Sequence, residues 1–405
     1  MSKRLLVLCY WGMNDPLTHG SILPHLRIIA QLPSVDIVLF ATIERDRKHE
    51  LDERVLDGIR NVRHIPLFSQ NIPINLLNKI YDFLLFPKLL KQVVLDHNIT
   101  DIIAFSTPAA SLVHLLTKQL NLTYYVAFYE PHAAYMLETG IWGRYDPRYI
   151  YQKKWEKEQA RDAKGLLAVS EAFRQEISSN SLAPASKIRV VRNAVDMTKF
   201  LSNPAKRSKV KYNLGIAAET TVGVYVGKFG GLYFEEDAFA IYQSCFELIS
   251  NFSLLILTPQ EHVVICENTR RTNLDEKKIF VLTVPHQEVP DYLSAADFAF
   301  ATIKSYPSAR YCSPVKIGEY WASGLPVLLT EGVGDDSDII KNEGGGALFN
   351  VAVPGSVEKA ILQIQEIINQ PGHREEIRKL AIKYRSPDRI KEAYEYFFGA
   401  NREVS

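Results

Sequence analysis

Short runs of Val, Ile, Leu and Phe recur along the chain, and segments with apolar residues three and four apart separate them. An apolar run bounded by turn formers and followed by helix-period sequence is what a strand buried on both faces of a parallel sheet requires. The first half predicts such strands at Leu5–Tyr10, Asp36–Ala41, Val62–Ile65, Asp101–Ser106, Thr123–Phe128, Gly165–Val169 and Ile188–Val191. A second series is predicted at Thr221–Gly227, Ser253–Leu257, Ile279–Leu282, Phe298–Ala301, Pro326–Leu329 and Ala347–Phe349. The pattern is α/β, with two Rossmann-like sheets. Between them Leu201–Tyr212 turns polar and basic with a proline, the composition of an inter-domain connection. The expected domains are 1–202, 203–383 and a terminal piece, 384–405. That piece restarts at Ser386-Pro387 as a helix with Ile390, Ala393, Tyr394 and Phe397 at helical spacing, suited to packing back on the first domain.

With 405 residues the chain exceeds what one core sustains, so two domains are expected on size as well. A net charge of +1, with charges of both signs interspersed, argues against a nucleic-acid partner and for small-molecule ones. Cys9, Cys245, Cys266 and Cys312 lack C-x-x-C spacing, so neither a zinc site nor a disulfide framework is expected, and a reducing cytoplasm fits. The apolar opening run is short, with no cleavage site after it, and no stretch approaches the ~18 to 20 apolar residues that span a bilayer. The segment Ile72–Val94 mixes Leu, Ile and Phe with Lys79, Lys88 and Lys91. It reads either as a surface for the inner face of a membrane or an acceptor groove, or as a helix pair packed on its own domain.

The most informative stretch is Ser313-Pro-Val-Lys-Ile-Gly-Glu-Tyr-Trp-Ala-Ser-Gly324. Ser313 is placed to cap a helix and Pro314 to occupy its first position, with Gly324 as the stop. Lys316 then lies in the first turn, where the helix dipole already places positive charge, an arrangement suited to an anion such as phosphate. Glu319, three residues on, shares its face and offers a hydroxyl acceptor. Alternatively, Ser-Pro is an ordinary helix start and Gly324 an ordinary stop. After the first predicted strand of the second series, Gly227-Lys228-Phe-Gly230-Gly231 stands where open α/β sheets bind ligands. After the first strand of the chain, Gly20 sits in a loop that opens a helix, and beyond Thr123–Phe128 come Glu130 and His132, either within reach of a substrate hydroxyl. Neither G-x-G-x-x-G after the first strand, nor a P-loop, nor G-x-S-x-G occurs, which counts against dehydrogenases, P-loop enzymes and serine hydrolases.

Taken in order, Leu167–Ile177, Lys187–Phe200 with its Arg192-Asn193-Ala194-Val195-Asp196, Val226–Gly231, Ser294-Ala-Ala-Asp297 and Ser313–Val327 resemble the retaining GT-B glycosyltransferases of family four over most of the chain. The resemblance implies two facing Rossmann-like domains with a cleft, a nucleotide-diphosphate sugar held by the C-terminal one, no metal and no cofactor. It implies that Glu319 binds ribose hydroxyls and that Lys228 contacts the diphosphate. Gly20 would lie near the phosphates, His132 near the donor sugar, and Val284-Pro285-His286 against the base through backbone atoms. Two positions depart from the family: Tyr311 stands where the first of two paired glutamates is usual, and Phe234 where a second basic residue is usual. A subgroup with Ser-Pro-x-Lys is the closest match, so a changed donor pocket is expected, with Tyr311, Ser313 and Pro314 beside it and Lys316 supplying the second charge.

The expected reaction moves a sugar to an acceptor hydroxyl with retention, in polysaccharide or glycolipid synthesis, the acceptor being a saccharide or a lipid-linked one. Closure about Leu201–Tyr212 would exclude water. The alternatives are a nucleotide-sugar epimerase or hydrolase of the same fold, or a non-catalytic nucleotide-sugar binder.

Overall fold

The computed structural model describes residues 2–46, 50–70, 72, 75–128, 131–272 and 274–399, apart from the side chains of Asn75, Leu76 and Phe128. They form two compact units, one of 1–194 with 311–313 and 387–405, the other of 195–310 with 314–386.

The first unit is built on a seven-stranded parallel sheet: β1 (Lys3–Cys9), β2 (Val35–Glu44), β3 (Val62–Phe68), β4 (Asp101–Phe105), β5 (Thr123–Phe128), β6 (Gly165–Ala168) and β7 (Ile188–Val190). Its order is β3-β2-β1-β4-β5-β6-β7. The second holds β8 (Thr221–Val226), β9 (Phe252–Leu257), β10 (Ile279–Leu282), β11 (Phe298–Ala301), β12 (Val327–Thr330) and β13 (Gly346–Phe349), in the order β10-β9-β8-β11-β12-β13. Each predicted strand is present. The strands read as continuous apolar runs because both faces are covered: in β1, Leu6 and Leu8 enter one core and Leu5 and Val7 the other. Strand order reverses between β1 and β4 and again between β8 and β11, and the carboxyl ends there open the crevices where such sheets take ligands.

The terminal helix Asp388–Phe398 belongs to the first unit and buries Ile390, Ala393, Tyr394 and Phe398, with Phe397 only partly covered. Tyr394 Oη lies 3.0 Å from His25 Nδ1, and burial pushes His25 down to about 3, so its ring is neutral.

Two readings of the sequence change. Within Leu201–Tyr212, read as a connection, Pro204–Asn213 forms a helix of the second unit. Asn203 Oδ1 accepts from the amides of Ala205 and Lys206, and Pro204 starts the helix without losing a bond, so local capping outweighs polar composition. Within Ile72–Val94 there is one helix, Asn75–Asp96, not a pair. Phe86, Leu90 and Val94 enter the core, while Leu77, Ile80, Tyr81 and Leu84, at helical spacing, stay exposed. Among the described residues no helix is long and apolar enough to cross a membrane.

Candidate functional site

Strand β8 ends at Val226, whose amide donates to Tyr320 Oη at 3.1 Å. The next residue, Gly227, has φ 137°, and a Cβ there would lie 2.8 Å from Lys316 Nζ. The position is glycine for two reasons: its backbone strains any side chain, and the space is filled by an ammonium group. Gly230 and Gly231, at φ 83° and 61°, turn the chain back. Tyr225 Oη donates to the carbonyl of Lys228 at 2.6 Å and Gln260 Oε1 accepts from the amide of Phe229 at 2.6 Å, so the turn is held from below and from the side. Lys228, exposed, follows Gly227 directly at the carboxyl end of β8, as the sequence places it.

Lys316 lies in the helix Val315–Ala322 and is buried. Its Nζ makes no hydrogen bond and instead sits 3.8 Å from the ring centroid of Tyr233 and 4.9 Å from that of Tyr225. Cation–π attraction returns only part of the lost hydration. Burial lowers its pKa to about 7, against a smaller opposing pull from Glu319. Phe234, where the family's second basic residue is usual, is buried in the core, so Lys316 is the cation that the fold brings to this turn.

One turn along, Glu319 is buried and its Oε1 accepts from His286 Nε2 at 2.9 Å. His286 comes from the loop after β10, where Val284 packs on the core and Pro285 is exposed. Lys199 Nζ donates to His286 Nδ1 at 3.1 Å. The sequence gives His286 a backbone role only; its side chain joins the site because the β10 loop and the helix Val315–Ala322 end at one edge of the sheet.

The expected cap is absent. The helix begins at Val315 with Pro314 as N-cap, extended at ψ 123°, and no side chain caps it. Ser313 is engaged elsewhere, since its Oγ accepts from the amide of Asn193 at 3.2 Å and its carbonyl from Asn193 Nδ2 at 2.6 Å. Both residues belong to the first unit, as does Tyr311. Tyr311 Oη donates to Glu176 Oε2 at 3.1 Å, its ring packs 5.4 Å from that of Phe173, and its carbonyl accepts from Ser170 Oγ at 3.1 Å. The Ser170 and Asn193 motifs therefore clamp 311–313. Asp297, in another recognised motif, is also structural: its carboxylate takes the amide of Val222 at 2.9 Å and Arg207 at 2.8 Å.

In the first unit, Gly20 lies in the wide π-helical turn Thr18–Ile22 after β1, with open space where a Cβ would stand. His132 opens the helix His132–Glu138 beyond β5, edge-on to Trp142 at 5.4 Å. The two sit beyond strands separated by β4. Glu130 lies outside the described residues. A small recess near the ends of β1 and β2 is lined by Tyr10, Arg45, Lys79 and Asp82; of these the sequence singles out Lys79 alone, because the others come from distant parts of the chain or carry no motif. There Asp82 Oδ2 accepts from Ser69 Oγ at 2.6 Å, Oδ1 has no partner, and burial raises its pKa.

Residues 34–199 match the family model described as Glycosyltransferase Family 4. The chain has the GT-B fold throughout: sucrose-phosphate synthase from Thermosynechococcus elongatus superposes with TM-score 0.76 at 16% identity, over 98% of this chain and 100% of that one. HepE of Anabaena, solved with UDP, matches with TM-score 0.72 at 14% identity, over 98% and 100% of the two chains. A glycosyltransferase from Rickettsia africae matches with TM-score 0.70 at 15% identity, over 98% of each. Among curated protein sequences none matches this chain.

Proposed function

We propose that the protein transfers a sugar from a nucleotide-diphosphate sugar to an acceptor hydroxyl with retention of anomeric configuration. The observation that carries this is the buried ammonium of Lys316 beside Gly227, desolvated and without a hydrogen-bond partner at the reversal of the second sheet. A buried cation in that state favours an anion, and a diphosphate supplies one. The UDP complex of HepE supports a uridine nucleotide.

In this reading Lys316 and Lys228 take the charge that develops on the diphosphate as the anomeric carbon becomes oxocarbenium-like, while Glu319 takes ribose hydroxyls. Val284, Pro285 and His286 face the base. Gly20 and His132 are assigned to the phosphates and the donor sugar. Lysines supply this charge stabilisation, so the reading requires no metal and no cofactor. No carboxylate stands at Tyr311, whose hydroxyl is spent on Glu176, so the acceptor attacks from the front face and the leaving phosphate oxygen takes its proton. Asp82, raised by burial in its recess, is assigned to acceptor hydroxyls.

The exposed stripe Leu77, Ile80, Tyr81 and Leu84 supports a lipid-linked acceptor, in polysaccharide or glycolipid synthesis on an anionic inner membrane face. Lys88 and Lys91 continue the same face of this helix, and their charge suits anionic lipid. Sedimentation should recover the protein with phosphatidylglycerol vesicles and leave it in solution with phosphatidylcholine, and Ile80→Glu/Leu84→Glu should abolish recovery. Equal recovery of the variant removes the membrane from the account.

The test of activity is incubation with UDP-, GDP-, ADP- and dTDP-sugars with and without saccharide acceptors. Transfer needing acceptor, lost roughly a hundred- to a thousandfold in Lys316→Ala, supports the reading. Full turnover of donor without acceptor assigns epimerisation or hydrolysis instead, and nucleotide binding with no turnover assigns a binding protein.

A further inference from the structure

The bond pattern around His286 is directional. An ammonium can only donate, so Lys199 Nζ, 3.1 Å from Nδ1, makes that nitrogen the acceptor. The ring proton is then on Nε2, which donates to Glu319 Oε1 at 2.9 Å. Phe200, its centroid 5.8 Å from that of His286, fills space beside the imidazole. Glu319 Oε2 is left without a hydrogen bond among the described residues, on a side chain that is otherwise 91% covered.

The geometry points to His286 as a positioning residue: with Lys199 it pins one carboxylate oxygen of Glu319, so that the other is held in place for a ribose hydroxyl, and so sets the preference of the site for ribo- over deoxyribonucleotides. This rests on the donor reading above. A carboxylate pinned at one oxygen meets its hydroxyl without first losing rotamer freedom, and a nucleotide lacking that hydroxyl leaves the other oxygen unpaired once the bound ligand covers it. The lone pairs of Oε2 point to a donor, which a ribose hydroxyl is and a second carboxylate or phosphate is not.

The test is calorimetric titration of the full chain with UDP, GDP and ADP, then of the one that binds against its 2′-deoxy and 3′-deoxy forms. The wild type should prefer the parent nucleotide over one deoxy form by roughly tenfold or more, the range of a hydrogen bond to a charged group. His286→Ala should bring that ratio to within about threefold, weakening the parent nucleotide and leaving the deoxy form unchanged. His286→Gln, whose amide nitrogen reaches the place of Nε2, should restore most of the ratio, and Lys199→Ala should give an intermediate value. A merely structural histidine would weaken parent and deoxy forms alike. Unchanged discrimination in His286→Ala, or a wild type indifferent to both hydroxyls, overturns the inference while nucleotide binding stands. No binding of any of the three nucleotides overturns the donor reading itself.

Discussion

Lys316 carries a cost that the ligand-free protein does not recover. An amine that is protonated to about pH 7 when folded and to 10.5 when unfolded makes the unfolded chain bind more protons between those values. Stability contributed at this site therefore rises with pH across that window, and the penalty is fully present below about pH 7. Replacing the lysine by an apolar chain of similar length removes the penalty: Lys316→Met should stabilise the ligand-free protein at pH 6 by on the order of 1–3 kcal/mol, read by urea denaturation. The same variant should lose nucleotide binding. Binding of an anion has the opposite sign, since it restores the proton, so donor affinity in the wild type should fall as pH rises above about 7, and calorimetry in buffers of different ionisation enthalpy should record proton uptake. At this scale the sequence was legible for types and positions. Lys228, Lys316 and Glu319 stand where their spacing placed them, but the depth of Lys316 was not legible, because Tyr225 and Tyr233 that cover it come from the β8 strand and turn, far away in the chain. Ser313 misled for a related reason: its hydroxyl had a distant competitor in Asn193, which a local capping rule does not see.

Among the elements, the turn after β8 is the most exacting. Gly227→Ala would force a side chain into a backbone region that costs roughly 1–3 kcal/mol and would push the Lys316 ammonium aside. Its expected phenotype is a small fall in melting temperature with loss of nucleotide binding, whereas Gly20→Ala, with open space around it, should keep stability and lose activity only if ligand occupies that space. The strands were the most legible elements. Thirteen apolar runs mark thirteen strands because a strand covered on both faces leaves no polar position to blur the pattern. The helix Pro204–Asn213 was hidden by its charge: it buries only Val210 and Lys211, whose ammonium donates to the carbonyls of Ala218 and Thr220, so no apolar stripe announces it. The Asn75–Asp96 helix was visible in outline but not in number, since Pro87 reads as a break and sits inside one continuous helix.

For the molecule as a whole, the fold shared over 98% of the chain establishes the architecture, and the chemistry rests on the second unit. Transfer should proceed unchanged in excess EDTA if lysines and not a metal hold the diphosphate; a rate that falls and returns with magnesium would require a different account of the leaving group. Asp82→Asn should raise the KM for acceptor and leave donor affinity alone, measured under donor saturation. Equal effects on both would detach the recess from the acceptor. The recess as a whole was not legible beforehand, since it gathers residues from four separate segments, of which only the one with Lys79 reads as an acceptor surface.

The central claim, that the buried ammonium beside Gly227 is a receptor for a nucleotide diphosphate, is tested most directly by titrating the wild type and Lys316→Met with UDP-glucose at pH 6 in a calorimeter. The account predicts saturable binding to the wild type and none to the variant, although the variant is the more stable of the two. Equal binding to both, or to neither across the UDP-, GDP-, ADP- and dTDP-sugars, would contradict it.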